Sequence, residues 1–229
     1  MSGGLKMANQ TAKHVREYGG ILAVPEKKVL IWLAERMPAR VNSDHLTIIG
    51  LVSMFAAGGC FWLARWNRYA LFAVVAALAL NWFGDSLDGT LARVRNRQRV
   101  RYGYYVDHVI DLAGTAALLA GMALSGFMTP LIAAALLSAY VIVAAETFLA
   151  THVRQVFQLS RFGFGPTELR IVLSVGALRL FITPWAHLGG SRFLLFDIGG
   201  IVAIAGLLAA FLFSAVFNTC RLYKEEPLS

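Results

Sequence analysis

Long apolar stretches alternate with short polar joints along this chain. Six of the stretches are long enough for a helix that crosses a bilayer, which takes roughly 20 residues. They cover Leu46–Ala64, Tyr69–Leu91, Tyr104–Ser125, Pro130–Ala150, Pro166–Pro184 and Phe193–Phe217. Joints as short as Arg65-Trp66-Asn67-Arg68 predict antiparallel neighbours on either side. Upstream, Val24 to Met37 is too short and too charged to span. Val29, Leu30, Trp32, Leu33 and Met37 share one broad face of a helix there, with Lys27, Lys28, Glu35 and Arg36 left wet. That pattern predicts an amphipathic helix lying on the membrane surface. Asn42-Ser43-Asp44 then supplies N-cap chemistry for the first span. No long repeat and no low-complexity tract interrupts the pattern.

Composition agrees with the pattern. Of 229 residues 58% are hydrophobic and 15% charged, and the mean hydropathy is +0.62. A soluble domain of this length would carry more charge. The predicted fold class is therefore all-α integral membrane: a leader over 1–44 with its interfacial helix, a six-helix domain over 45–220, and a short tail over 221–229. The first residues, with Lys6, Lys13 and Arg16, lack the short apolar core of a cleaved signal peptide. The net charge of +8 does not point to nucleic acid, because the basic residues are scattered between apolar spans. With the N-terminus in the cytosol, 17 of the 21 Lys and Arg fall on the cytosolic side, leaving Arg65, Arg68, Arg179 and Arg192 opposite. Both termini are thus expected inside. Size and simplicity suggest a bacterial inner membrane, and a homodimer is expected. Cys60 and Cys220 are read as packing residues rather than a disulfide or a metal motif.

Four acids stand out because they close one span and open the next: Asp85, Asp88, Asp107 and Asp111. Asp85 and Asp88 are one turn apart on one helical face, as are Asp107 and Asp111. If the two helices are antiparallel neighbours, all four carboxylates converge. Such a cluster repels itself and needs a cation. Five Arg nearby offer a structural answer, but an all-oxygen set without sulfur suits Mg²⁺ or Mn²⁺. Two ions about 3.5–4 Å apart clamp a pyrophosphate. The small residues Gly89, Ala92 and Gly103 allow a flat group to approach the backbone, and Arg93 offers a fork to a phosphate.

Taken together, Asp85-Ser-Leu-Asp88-Gly89-Thr-Leu-Ala92-Arg93, then Gly103, Asp107 and Asp111 at intervals of four, resembles the signature of the CDP-alcohol phosphotransferase family. Nine residues separate Arg93 from Gly103, one more than the family's usual eight, and the extra one is expected in the loop between the two helices. The resemblance implies that the four Asp hold two divalent ions and that Asp111 is also the general base toward the acceptor hydroxyl. It implies a CDP pocket shaped by Gly89, Ala92, Arg93 and Gly103. The implied reaction moves a substituted phosphate from a CDP-linked donor to an alcohol by direct displacement, releasing CMP. One reactant would be lipidic and the other a small alcohol or soluble CDP-alcohol; both donor types stay open.

Weaker signals surround this centre. His108 follows Asp107 directly, as in the aminoalcohol branch of that family, and is a second candidate for handling the proton. Arg154, Arg161 and Arg170 are candidates for a substrate phosphate, set against a plain helix start at Gly165-Pro166 with Glu168. Glu146 suits either a hydroxyl or an Arg partner. The competing class is a cation- or proton-coupled transporter using the Asp cluster, although such sites sit near the midplane between repeats. A catalytically dead scaffold is disfavoured, because every acid of the motif is present.

Overall fold

The computed structural model describes residues 22–154 and 165–226. Lys6, Lys13, Arg16 and Arg161 lie outside the described residues, as does the side chain of Arg154.

Among the described residues seven helices follow in order: α1 (Ala23–Arg36), α2 (Ser43–Leu63), α3 (Ala70–Val94), α4 (Val100–Ser125), α5 (Pro130–Arg154), α6 (Pro166–Ile182) and α7 (Leu195–Glu225). Five of them, α2, α3, α4, α5 and α7, are long and apolar enough to cross a membrane, which makes the chain an integral membrane protein. The stretch read as the fifth span folds as a helix of only 17 residues, about 25 Å at 1.5 Å per residue. It stops at Ile182 because Thr183 is extended ahead of Pro184.

The chain is not wholly helical. Trp185–Leu188 (β1) and Ser191–Leu194 (β2) pair antiparallel, with Trp185 opposite Leu194. Gly189 and Gly190 both have positive φ, 55° and 83°, the conformation a two-residue hairpin loop demands. Other punctuation is as the sequence suggests. Gly126 ends α4 in the left-handed region (φ 78°), Pro130 opens α5, and Glu168 reaches back to accept from the Gly165 amide at 3.0 Å. The second oxygen of Glu168 accepts from the Leu22 amide at the start of α1 (3.1 Å).

Packing departs from the expected neighbour order. Helices α3 and α4 do not lie along each other; each packs along α2, which is the central helix. Glycines make this possible. A Cβ on Gly84 would come within 2.6 Å of the Gly50 amide, and one on Gly121 within 2.4 Å of the Gly58 carbonyl carbon. Backbone therefore meets backbone on two sides of α2, the close approach that small residues permit in membranes. The main core fills the bundle with Phe61, Leu71, Val74, Leu78, Leu118, Met122 and Phe196.

A second cluster fastens α1: Leu30 and Ala34 are buried against Leu46, Leu87 and Leu91. The broad apolar face expected of α1 is split. Leu30, Leu33 and Met37 turn to this cluster, while Val29 and Trp32 are about half exposed, at 47% and 53%. Beyond α4 the bundle is open, and α5 and α7 pack chiefly on each other. Glu146 ties them, its Oε1 accepting from Ser214 (2.9 Å) and Asn218 (2.8 Å) of α7. Both cysteines are free. Cys60 packs against the core as expected, but Cys220 is exposed on α7.

Candidate active site

Helices α3 and α4 pack on α2 far more than on each other, and the last turns of α3 face the first turns of α4 across the space between them, the α3–α4 cleft. Asp85 in α3 and Asp107 and Asp111 in α4 meet across it, each with an oxygen within 4.8 Å of the others'. Asp111 is the exposed member of the three. The one-turn spacings put Asp107 and Asp111 on one face of α4, and the glycine contacts of α2 bring that face opposite Asp85.

Asp88 does not join the three in this arrangement. Its carboxylate turns to α2, where Oδ2 accepts from Thr47 Oγ1 at 2.6 Å, and Oδ1 accepts from the Gly89 amide. Ser43 Oγ donates to the Asp88 carbonyl at 2.7 Å. The first turn of α2 thereby holds the end of α3, a contact no motif announced. Asn42 is the N-cap of α2 as expected, its amide donating to His45 Nδ1 at 3.3 Å.

Arg93 is exposed and donates to Thr90 Oγ1 at 2.9 Å. Gly103 lies in the first turn of α4, which starts at Val100 rather than at the glycine itself, and a Cβ there would meet nothing within 4 Å. The nine residues between Arg93 and Gly103 are accommodated by the turn 95–99, in which Asn96 takes φ 52°. Arg95 in that turn donates to the carbonyls of Met37 (2.8 Å), Pro38 (3.0 Å) and Val41, clamping the elbow between α1 and α2. Arg99 pairs with Asp44, whose hydrogen bond and charge hold the guanidinium above its ordinary pKa.

Of the three arginines read as phosphate ligands, Arg170 reaches the site. It stands in the second turn of α6, paired with Asp85 Oδ2, and its Nε donates to Asn81 Oδ1 at 2.7 Å. Its Nη1 is buried and has no hydrogen-bond partner among the described residues. His108 lies one residue round α4 from Asp107. Its ring packs on Tyr104 (centroids 4.2 Å apart) and edge-on to Phe148 (5.0 Å). Nδ1 stands 2.7 Å from the Tyr104 carbonyl, which can only accept, so this nitrogen carries the proton. Beside it a groove of 780 Å³ opens between α4 and α5, walled by Tyr104, Tyr105 and Phe148 with Arg101 and His152.

Two residues near the acids were missed by the sequence reading. Asn81 is 6% exposed within an apolar span, one turn before Asp85, and an intramembrane amide was the clue available. Tyr140 of α5 lies in electrostatic reach of Asp111, Asp85 and Asp107. Nothing in the sequence distinguishes it from an interfacial tyrosine.

A membrane-embedded helical bundle with an acidic centre at one end of an open helix pair defines the class. The CDP-alcohol phosphatidyltransferase family model matches residues 42–216, and the chain belongs to that family. It is thus a transferase of phospholipid synthesis, working on CDP-alcohol chemistry in a membrane. No curated protein sequence matches it.

Proposed function

We propose that the protein transfers a substituted phosphate from a CDP-linked donor to an acceptor alcohol at the cytosolic face, releasing CMP, and that Asp85, Asp88, Asp107 and Asp111 hold two Mg²⁺ or Mn²⁺ ions. The observation that carries this reading is the meeting of Asp85, Asp107 and Asp111 across the open α3–α4 cleft. Three carboxylates so close repel one another, which favours positive charge among them. An all-oxygen donor set fits a hard divalent cation. Bound there, the ions would neutralise the charge of the pyrophosphate and of the departing CMP.

The chain's own residues do the rest. Asp111, exposed at the mouth of the cleft, takes the proton of the acceptor hydroxyl. The acceptor oxygen bonds to the β-phosphorus, the bond from that phosphorus to the bridging oxygen breaks, and CMP leaves with that oxygen. Gly103, with open space where a side chain would be, lets the donor lie close to the first turn of α4, together with Gly89 and Ala92. Arg93 and Arg170 would donate to phosphate oxygens, with Arg154 and Arg161 extending that set. The aromatic groove beside His108 suits an amphipathic reactant. The α6 helix crosses the bilayer as a short sixth span, with α1 on the cytosolic surface.

The test is incubation of purified protein and Mg²⁺ with CDP-diacylglycerol or soluble CDP-alcohols against a panel of alcohols, scoring CMP. Activity is expected with one donor type, abolished by EDTA and by Asp85→Asn, and restored by Mg²⁺ or Mn²⁺. Full turnover in chelator refutes the metal centre.

A further inference from the structure

Asp85 is gripped by Arg170, which is itself held by Asn81; both lie outside the motif, and their geometry is that of a built support. Arg170 spans two groups with its planar fork: Nη2 to Asp85 Oδ2, and Nε to Asn81 Oδ1 at 2.7 Å. Asn81 is four residues before Asp85, hence on the same face of α3. Its other end donates from Nδ2 to the Gly50 carbonyl of α2 at 2.9 Å. That carbonyl can only accept and the guanidinium can only donate, so the orientation of the Asn81 amide is fixed from both sides. Gly50 is part of the same joint, since a Cβ there would stand 3.3 Å from the Asp85 amide. The Arg170 side chain is 14% exposed and that of Asp85 25%.

We propose that Asn81 and Arg170 are positioning residues that hold the Asp85 carboxylate in the rotamer that presents Oδ1 to the cleft, with Oδ2 taken by the guanidinium. This rests on the reading of Asp85 as a metal ligand given above. A residue that only neutralised Asp85 would need a charge and nothing more. Here the second hydrogen bond, from Nε to Asn81, fixes where that charge sits, and Asn81 is in turn anchored on α2. The chain Gly50–Asn81–Arg170–Asp85 therefore transfers the rigidity of the α2–α3 contact, and the seat of α6, to one ligand oxygen. It also removes part of the repulsion among the three acids before any cation arrives. Supports of this kind typically change metal affinity about 10–100-fold when lost. Lysine carries the same charge but lacks the fork, so it separates positioning from neutralisation.

The experiment measures Mn²⁺ affinity by the EPR signal of free Mn²⁺, on chelator-stripped full-length protein in detergent, beside the unfolding midpoint and turnover against Mn²⁺. Asn81→Leu and Arg170→Lys are each expected to weaken Mn²⁺ binding about tenfold, and Asn81→Leu to recover turnover within about threefold of wild type at saturating Mn²⁺. Two variants are used so that one that fails to fold leaves the other to decide. In the Asp85→Asn background neither change should weaken Mn²⁺ further. Wild-type Mn²⁺ affinity in either folded variant, even with a lowered unfolding midpoint, overturns the proposal, because a merely structural contact would do that. If Asp85→Asn weakens Mn²⁺ while the two variants do not, positioning alone has failed. If Asp85→Asn itself binds Mn²⁺ like wild type, the metal centre has failed and the support with it.

Discussion

Asp111 and Asp85 belong to one cluster but sit in different surroundings, and the proposed reaction gives them different work. Asp85 is tied to Arg170, while Asp111 is exposed at the cleft mouth, where an acceptor hydroxyl can arrive. Asp111→Asn should lower turnover about 10²–10⁴-fold, the loss of a general base, with donor binding little changed. Raising the pH should restore part of that loss, because a more ionised acceptor needs less help. Asp85→Asn should lose donor binding with turnover and gain nothing from pH. His108→Ala is the control, since its ring is packed between Tyr104 and Phe148; a selective turnover defect there moves the base to His108. At the same scale, Thr47 anchors Asp88 through a 2.6 Å hydrogen bond. Thr47→Val should lower activity about tenfold and Thr47→Ser should keep most of it, as read by CMP release at saturating Mg²⁺.

The element that organises the site is α2, which carries no residue of the motif. Its glycines decide how near α3 and α4 come. Gly58 and Gly59 are adjacent yet opposite in consequence. A Cβ on Gly58 would stand 2.3 Å from the Ala117 carbonyl oxygen, whereas one on Gly59 meets nothing within 4 Å. Gly58→Val should force α2 and α4 apart, costing about 3 kcal/mol or more, and should lower the unfolding midpoint in detergent together with activity. Gly59→Ala should be neutral or stabilise by up to about 1 kcal/mol. Arg95 acts between elements as well, holding three carbonyls of the α1–α2 elbow. Arg95→Ala should cost about 1–2 kcal/mol and loosen α1, seen as faster proteolysis near Pro38, with Arg95→Lys intermediate.

For the whole molecule the question is which side of the membrane bears the cleft. The turn 95–99 beside it carries Arg95, Arg97 and Arg99, and such density is expected to stay in the cytosol. After replacement of Cys60 and Cys220, a cysteine at Arg97 should react with an impermeant maleimide only when the cytosolic face is open, and one at Arg192 only from the other side. Labelling of Arg97→Cys from outside alone would invert the map. What the amino-acid sequence determines by itself is what depends on local order. Runs of apolar residues dictate helices whatever they pack against, because a lipid environment leaves the backbone no partners but its own. The spacing of Asp85, Asp88, Asp107 and Asp111 is likewise a property of two helices taken singly, and so is the family signature. Punctuation such as Gly189-Gly190 was equally local and legible, though overshadowed by the apolar spans on either side. Only the tertiary structure decided that α3 and α4 are joined through α2, that Asp88 faces Thr47 while the other three acids meet, and that Asn81 and Arg170 support Asp85. Those outcomes depend on residues 31 to 89 positions apart. They turn on sub-ångström clearances at glycines and on which face each helix presents, and neither is written into the order of apolar and polar residues.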